Sequence, residues 1–323
     1  MSVSKTPSQV DHDARFRQEA QDAFDVDITN ISSEDDMLDE LTSIQSFSFH
    51  FIKDASRKLP AESESAQQGL HLLWYMFLET AKVYENDSPF QEKLVSLLLW
   101  TKEFDSLFRS LHPTETAAAS WESYRFADSL QASWEQLLTT GTASHQCNLA
   151  AFSAKALAVG ICRDSIGLTA LWYLREALET DDEPKVISLL PATVVWIEQC
   201  GVHLLTFSAM NQSHEEQSKA HLLALGALAQ RADIDQHGFS IKRWLFWRRR
   251  LQELSHNADT AVAKKAKKGF MSMISCGRHL DYNVPGEAKF TEKLQAAMGE
   301  ALAKSGKESV SGDDIDINVD WVD

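Results

Sequence analysis

The chain has 323 residues, of which 44% are hydrophobic, enough to form a sizeable core in one or two domains. Its 13 glycines and 7 prolines are too few for the tight turns of an all-β fold, and a formal net charge of −16 disfavours a nucleic-acid-binding protein, because phosphate contacts need positive charge. Four widely spaced cysteines indicate no disulfide framework, the polar N-terminus does not resemble a secretory signal peptide, and no apolar run approaches the roughly 18 to 20 residues of a membrane span. We therefore expect a cytoplasmic or nuclear protein that is not secreted.

The first part of the chain predicts a polar arm followed by a helix. Residues 1–30 are weakly patterned, and we expect them to form a weakly ordered arm. Ser32 and Ser33 then precede the acidic run Glu34–Asp36, an arrangement typical of a helix N-terminus, because hydroxyl oxygens accept from free backbone N–H groups and acids favour that end of the helix dipole. Apolar residues follow at spacings of three and four from Met37 to Ile52, which predicts a helix with one apolar face.

Helical spacing continues through most of the remaining sequence. It predicts helices over Ser63–Tyr84, from Pro89 to near His112, and over Trp121–Leu138, Asn148–Ile161, Ile166–Leu178, a short turn at Pro184, a helix opening at Pro191, Ser213–Ala232, Ile241–Leu254 with Ser240 as its cap, Asp259–His279 and Glu287–Ala303. The sum is an all-α fold, either a compact multi-helix bundle or a solenoid-like stack of about ten to twelve helices, with no sheet of note. We expect residues 31–304 to form a single helical domain and residues 305–323 to form an acidic, disordered tail.

An ordered set of short segments resembles a known family. The segments are Trp121 with Trp134, Asn148–Leu157, Arg175–Glu179, Trp196–Gly201 and Gly238–Trp247. In this order, across roughly Leu70 to Met273, they resemble the fungal helical proteins grouped as domain of unknown function 3632. The resemblance implies a filamentous-fungal source and an all-helical fold, and it implies no activity.

Two Cys-x-x-His segments form the sharpest candidate site. Cys200 with His203 and Cys276 with His279 each have the i, i+3 spacing that places both side chains on one helix face. Two such pairs on facing helices would supply two thiolates and two imidazoles, a tetrahedral zinc set. The alternative is that Cys200 and His203 are packing residues of an apolar helix. We favour packing, and we predict no cofactor.

An acidic motif near the N-terminus has two interpretations. Asp35, Asp36 and Asp39 have the DDxxD spacing of class I terpene cyclases, in which carboxylates one helical turn apart bind Mg²⁺. The second metal-binding motif of those enzymes is incomplete here, because Lys264 stands where it needs glutamate. Acids are also favourable at a helix N-terminus without any metal. We favour the capping interpretation.

The segment from Lys242 to Arg250 is the most basic run. Aromatic residues interleaved with arginine are able to stack on single-stranded nucleic acid. On a helix, however, Trp244 and Arg248 follow the apolar spacing, so the tryptophans are better explained as core residues. We therefore predict a solvated basic face that could dock either the chain's own acidic tail or an acidic partner. Its residues are Lys242, Arg243, Arg249 and Arg250.

The C-terminal segment alternates between apolar and polar residues. Ile315, Ile317, Val319 and Trp321 would lie on one side of an extended strand, which is able to add to the sheet of a partner protein. The alternative is a tail that packs loosely on the body of the protein.

Two functions from different classes remain open. The leading hypothesis is a non-catalytic intracellular helical scaffold of a filamentous fungus that binds other proteins through the tail or the basic face. The rival is an enzyme or small-molecule carrier with an apolar pocket between helices, acting in secondary metabolism, and the nine tryptophans could line such a pocket. Each candidate catalytic motif lacks a required residue or is outweighed by a capping or packing explanation.

Overall fold

The all-α prediction is confirmed. A computed structural model describes residues 7–58, 64–111, 125–213 and 219–305 together with Ile315 and Trp321. These residues contain thirteen α-helices and no strand. The number exceeds the predicted ten to twelve because Pro7–Thr29, within the expected weakly ordered arm, also forms a helix, and because two short helices of 4 and 5 residues replace the one predicted over Ser213–Ala232. The helices are α1 (Pro7–Thr29), α2 (Glu34–Lys58), α3 (Glu64–Val83), α4 (Pro89–Leu111), α5 (Phe126–Thr140), α6 (Ala143–Ala158), α7 (Arg163–Leu178), α8 (Glu183–Ala209), α9 (Ala220–Leu223), α10 (Ala227–Arg231), α11 (Ile241–Leu254), α12 (Thr260–His279) and α13 (Glu287–Ser305).

The chain divides into two compact units, Met1–Arg163 and Asp164–Asp323, each with its own core. In the first unit α3 is central, because it packs against α1, α2, α4, α5 and α6. Its buried residues include Trp74, whose ring meets the ring of Phe126 edge to face with centroids 5.2 Å apart. Such aromatic contacts add specific geometry to the burial of apolar surface.

Two side-chain amides close the C-terminal end of α3, which is buried. Gln91 donates to the carbonyls of Ala81 and Tyr84 at 2.9 and 2.6 Å, and Asn148 donates to the carbonyl of Lys82 at 2.8 Å. The last carbonyls of a helix have no partner within the helix, so burying them without donors would cost free energy. These amides therefore join α4 and α6 to the end of α3.

The second unit is built around α8, α11 and α12, which pack against one another. Ser240 caps α11 as predicted, because its hydroxyl oxygen accepts from the backbone N–H of Arg243 at 3.2 Å. The side chains of Trp244 and Trp247 are fully buried, which confirms the interpretation of these tryptophans as core residues.

The structure corrects two predicted helices of the second unit. The helix predicted to open at Pro191 is part of α8, which begins at Glu183 and has its non-helical backbone angles at Cys200 instead. The helix predicted over Ser213–Ala232 is replaced, among its described residues, by the short α9 and α10. Gly226 separates the two short helices, and its backbone N–H donates to the Glu179 carboxylate instead of continuing a helix.

One described helix, α8, is long and apolar enough by composition to cross a membrane. About 61% of its most apolar stretch is buried inside the fold. Burial of this kind is typical of a core helix, because apolar residues on all sides of a helix are buried either by protein or by lipid.

Candidate binding groove

A buried ion pair fixes the local structure from which the candidate site is built. Arg243 donates from Nε to Glu179 Oε1 at 2.6 Å and from Nη2 to Glu179 Oε2 at 3.1 Å. Both side chains are fully buried. Trp247 Nε1 donates to the same Oε1 at 2.8 Å, and the N–H of Gly226 donates to Oε2 at 2.7 Å. The carboxylate therefore joins α7, the segment before α10, and α11.

The remaining donors of Arg243 bind backbone carbonyls. Nη1 donates to the carbonyls of Leu223 and Gly238 at 3.2 and 2.9 Å, and Nη2 donates to the carbonyl of Ala224 at 2.8 Å. Arg243 was predicted on the solvated basic face, and this part of the prediction is wrong. The guanidinium is buried because Glu179 and three carbonyls replace its hydration.

The other residues of the predicted basic face remain nearer to solvent. Lys242 and Arg249 are exposed, with side-chain exposures of 66% and 62%, and Arg250 is partly buried at 23%. Arg250 donates to Glu253 at 3.2 Å, so it is tied to its own helix. Lys242 and Arg249 are the two members of the predicted face that line a concave surface.

That surface is an open groove of about 1000 Å³ in the second unit, which we call the basic groove. One wall is α11, and the other consists of the segment between α12 and α13 and the first turn of α13. Four cationic residues and one acidic residue line it. The cations are Lys242, Arg248, Arg249 and Lys289, and the acid is Asp233. The lining therefore carries more cations than acids, on a chain whose formal net charge is −16. Three of these cations also form ion pairs with acids next to the groove: Lys242 with Asp235 at 3.6 Å, Arg248 with Glu287 at 3.9 Å and Arg249 with Glu253 at 3.5 Å.

Apolar side chains lie between the charges. Leu245 and Phe246 project from α11 and are half-buried, and Pro285 and Ala288 line the opposite wall. Apolar surface between cationic side chains suits a ligand that is both acidic and apolar, because each part of such a ligand finds a matching surface. None of the described residues that line the groove is Ser, Thr, Cys or His, the residue types most often used as nucleophile and base.

Arg248 and Glu287 hold the two walls together. Arg248 Nη2 donates to the carbonyl of Pro285 at 2.9 Å, and its Nη1 lies 3.9 Å from Glu287 Oε1. Both residues are buried, Arg248 at 5% and Glu287 at 7% exposure. Burial raises the pKa of Glu287 to about 7, although Arg248 and then Arg278 act in the opposite direction. A carboxyl group with a pKa near neutrality beside a groove is a feature of functional sites.

The structure brings Cys200 and Cys276 close together where α8 packs against α12, but the four predicted zinc residues do not form one site. Among the residues described, no three His, Cys, Asp or Glu side chains form a group that could hold a metal ion. The thiols of Cys200 and Cys276 donate to the carbonyls of Trp196 and Ser272, both at 3.2 Å. Burial raises the pKa of both thiols, and the neighbouring Cys276 and Glu287 raise the pKa of Cys200 and Cys276 further. His203 is half-buried, and the exposed His279 is held by the carbonyl of Ser275 at 2.9 Å.

The acidic motif at the start of α2 is a helix cap. Asp36 Oδ2 accepts from the backbone N–H groups of Ser32 and Ser33, both at 2.9 Å, and Ser33 Oγ accepts from the N–H of Asp36 at 3.1 Å. These reciprocal bonds are those of a capping box. The hydrogen bonds from Ser32 and Ser33 lower the pKa of Asp36.

Two of the four tail residues lie within the described part of the chain. Ile315 is buried, and its carbonyl accepts from Lys267 Nζ at 2.5 Å. The ring of Trp321 lies 6.0 Å from that of Phe290. Ile317 and Val319 fall outside the described residues. The described positions thus contact α12 and α13.

Sequence reasoning missed Glu179, Glu287 and the second wall of the groove. Glu179 and Arg243 are 64 residues apart in the sequence. The spacing of apolar residues predicts which face of a helix is buried, but it does not predict which residue of another helix packs against that face. Arg248 carried a usable signal, because it is a charged residue at an apolar position of α11. Such a position predicts a buried cation and hence an acid facing it from another element.

Comparisons with known proteins support the resemblance seen in the sequence. The model of a family described as protein of unknown function (DUF3632) matches residues 74–251, a range that includes the groove residues of α11 except Gln252 and excludes those beyond α12. A protein of Penicillium oxalicum named oxopyrrolidines biosynthesis cluster protein G is 26% identical over 231 residues. That alignment spans 62% of this chain and 63% of the relative, so the chain covers less than two thirds of the relative's length. No solved structure matches the chain.

Proposed function

The chain belongs to the DUF3632 family of proteins of unknown function, and we propose its function from the basic groove. It is a non-catalytic helical protein that binds partner proteins. The basic groove receives a segment of the partner that carries both acidic and apolar side chains.

The observation that carries this proposal is the lining of the basic groove. Four cations and interspersed apolar side chains occupy one concave surface of an acidic chain. The overall negative charge repels acidic molecules from the rest of the surface, so the groove is where an acidic partner gains attraction. The Arg248 contact with Pro285 holds the two walls in place before binding, which lowers the conformational cost of association.

Charge reversal at the rim of the groove tests the proposal. We expect the double variant K242E/R249E to bind a fluorescent peptide of alternating acidic and apolar residues at least about tenfold more weakly than the wild type, because two attractions become repulsions. Fluorescence anisotropy measures the dissociation constant. Both side chains are exposed, so the variant is expected to fold normally.

The matched control is K264E/K265E, which changes the net charge by the same amount at exposed positions of α12 outside the groove. Its affinity for the peptide should stay close to that of the wild type. Equal losses in both double variants would show that overall charge, and not the groove, governs binding. A peptide that fails to bind the wild type would overturn the proposal.

The second candidate is a carrier or enzyme for a small acidic, apolar molecule in secondary metabolism. The observation that favours it is the name of the Penicillium oxalicum relative, which refers to a biosynthesis cluster. The same groove would serve, since its volume of about 1000 Å³ suits a small ligand. A small anionic amphiphile such as a medium-chain fatty acid should then displace the peptide and raise the melting temperature.

A further inference from the structure

The tail that follows α13 has the same kind of sequence as the segment that the basic groove is proposed to bind. Residues 308–323 combine acidic and apolar residues and contain neither lysine nor arginine. The acidic residues are Glu308, Asp313, Asp314, Asp316, Asp320 and Asp323, and the apolar residues are Val310, Ile315, Ile317, Val319, Trp321 and Val322. The chain therefore carries a possible occupant of its own groove.

The described residues of the tail contact α12 and the first turn of α13. The carbonyl of Ile315 accepts from Lys267 Nζ at 2.5 Å, and the ring of Trp321 lies 6.0 Å from the ring of Phe290. Phe290 directly follows Lys289, which lines the basic groove. The ring contact therefore brings Trp321 to the helix turn that forms part of the groove wall.

The length of the tail agrees with this position. The chain leaves α13 at Ser305, the end of the helix far from the groove, and the 19 residues of α13 are about 28 Å long at 1.5 Å per residue. Residues 306–320 are able to span up to about 50 Å at about 3.3 Å per residue, which is enough to return along the helix. The contact between Trp321 and Phe290 places the tail back at the groove end of α13.

We propose that the tail occupies the basic groove in the absence of a partner, with the carboxylates of Asp320 and Asp323 at the groove cations, and that a partner segment must displace it. This inference rests on the proposed function and adds its regulation. Both aspartates lie within two residues of Trp321, which holds this part of the tail beside Lys289. A tethered ligand has an effective concentration of about the millimolar range, so even a weakly attracted tail competes with a partner.

Removal of the two negative charges tests the competition. We expect the full-length variant D320N/D323N to bind the fluorescent acidic and apolar peptide about three- to tenfold more tightly than the wild type, because the apparent affinity falls with the fraction of molecules whose groove is occupied. Fluorescence anisotropy measures both dissociation constants. The variant keeps Ile315 and Trp321, so the apolar contacts of the tail with the second unit are retained.

The matched control is D39N/E103Q, which changes the net charge by the same amount at exposed positions of α2 and α4 in the first unit. Its affinity for the peptide should equal that of the wild type. An equal gain in both double variants would assign the effect to net charge and overturn the inference. Equal affinities of the wild type and D320N/D323N would overturn it as well.

A zero-length carbodiimide crosslinker, which joins a carboxylate to a lysine amine in contact with it, locates the tail without any peptide. We expect mass spectrometry to find crosslinks from Asp320 or Asp323 to Lys289 or Lys242, the two lysines of the groove. An excess of the acidic peptide should reduce these crosslinks. Crosslinks of the two aspartates only to lysines outside the groove, or no crosslinks from them, would contradict the placement of the tail.

A mixture of isotopically labelled and unlabelled protein distinguishes the chain's own tail from that of a second copy. Crosslinks within one copy support the inference, and crosslinks mainly between labelled and unlabelled copies overturn it.

The two proposals fail in different ways. If the peptide binds neither the wild type nor D320N/D323N while the tail is crosslinked to the groove lysines, the proposed function fails and the placement of the tail stands. If the peptide binds both proteins equally, the groove stands as a binding site and the regulation by the tail fails.

Discussion

Every N–H group of the Arg243 guanidinium donates a hydrogen bond inside the second unit. Arg243 is therefore a buried structural residue and not a surface charge. Its guanidinium binds both oxygens of Glu179 and three backbone carbonyls. A buried ion pair is often replaceable by apolar residues without loss of stability. Here the replacement would also leave the carbonyls of Leu223, Ala224 and Gly238 without their donor, so we expect the pair to be required for folding.

Replacing Arg243 by methionine should lower the free energy of unfolding by about 3 to 5 kcal/mol, because the buried Glu179 carboxylate loses its counter-charge. Urea denaturation followed by tryptophan fluorescence measures this loss, since Trp247 lies beside the pair. The exposed neighbour Arg249 provides the control, and R249M should change the free energy by no more than about 0.5 kcal/mol. A loss below about 1 kcal/mol in R243M would contradict the structural role.

At the scale of elements, the close approach of α8 and α12 depends on small residues. A β-carbon on Gly201 would lie 2.8 Å from Cys276 Sγ, and one on Gly269 would lie 3.0 Å from Val194 Cγ2. The first of these contacts occurs just after Cys200, where the backbone of α8 departs from helical angles. The cysteines are therefore packing residues at a tight helix crossing, consistent with their protonated thiols.

Replacing Gly201 by alanine should destabilise the second unit by about 1 to 2 kcal/mol, because the steric cost of overpacking exceeds the gain in helix propensity. In the double variant G201A/C276A the sulfur is gone and the added methyl group has room. We therefore expect the double variant to be less destabilised than the sum of the two single variants. Strict additivity, measured by the same denaturation experiment, would show that the two residues do not share this contact.

The helices were largely predictable from the sequence, and their interruptions were not. Ser240 and the apolar spacing after it predicted α11 correctly, because caps and periodicity are local properties. The continuity of α8 through Pro191 depends on packing against α11 and α12, which no local signal reports. The break at Gly226 likewise depends on Glu179, 47 residues away.

At the scale of the whole molecule, the charge lining the basic groove is opposite in sign to the net charge of the chain. The chain has a formal net charge of −16, and yet its basic groove holds four cations against one acid. The sequence predicted a basic face on α11, and Lys242 and Arg249 do line the groove. The opposite wall could not be predicted, because Pro285, Ala288 and Lys289 become neighbours of α11 only through the fold of the second unit.

The tail shows the same dependence on tertiary contacts. The alternation of apolar and polar residues predicted that Ile315 and Trp321 lie on the same side of an extended segment. In the fold, Ile315 is buried and Trp321 meets Phe290 of α13. Alternating apolar residues predict one side that packs against another element. For these two residues that element belongs to the same chain.

The location of a bound peptide tests the central proposal most directly. An acidic and apolar peptide carrying a photoreactive phenylalanine analogue is bound to the full-length protein and irradiated, and the crosslinked residues are identified by mass spectrometry. We expect crosslinks within residues 242–249 of α11 and residues 283–289 of the opposite wall, reduced in K242E/R249E and retained in K264E/K265E. Crosslinks concentrated in the first unit, or spread evenly over both units, would contradict the assignment of the basic groove as the binding site.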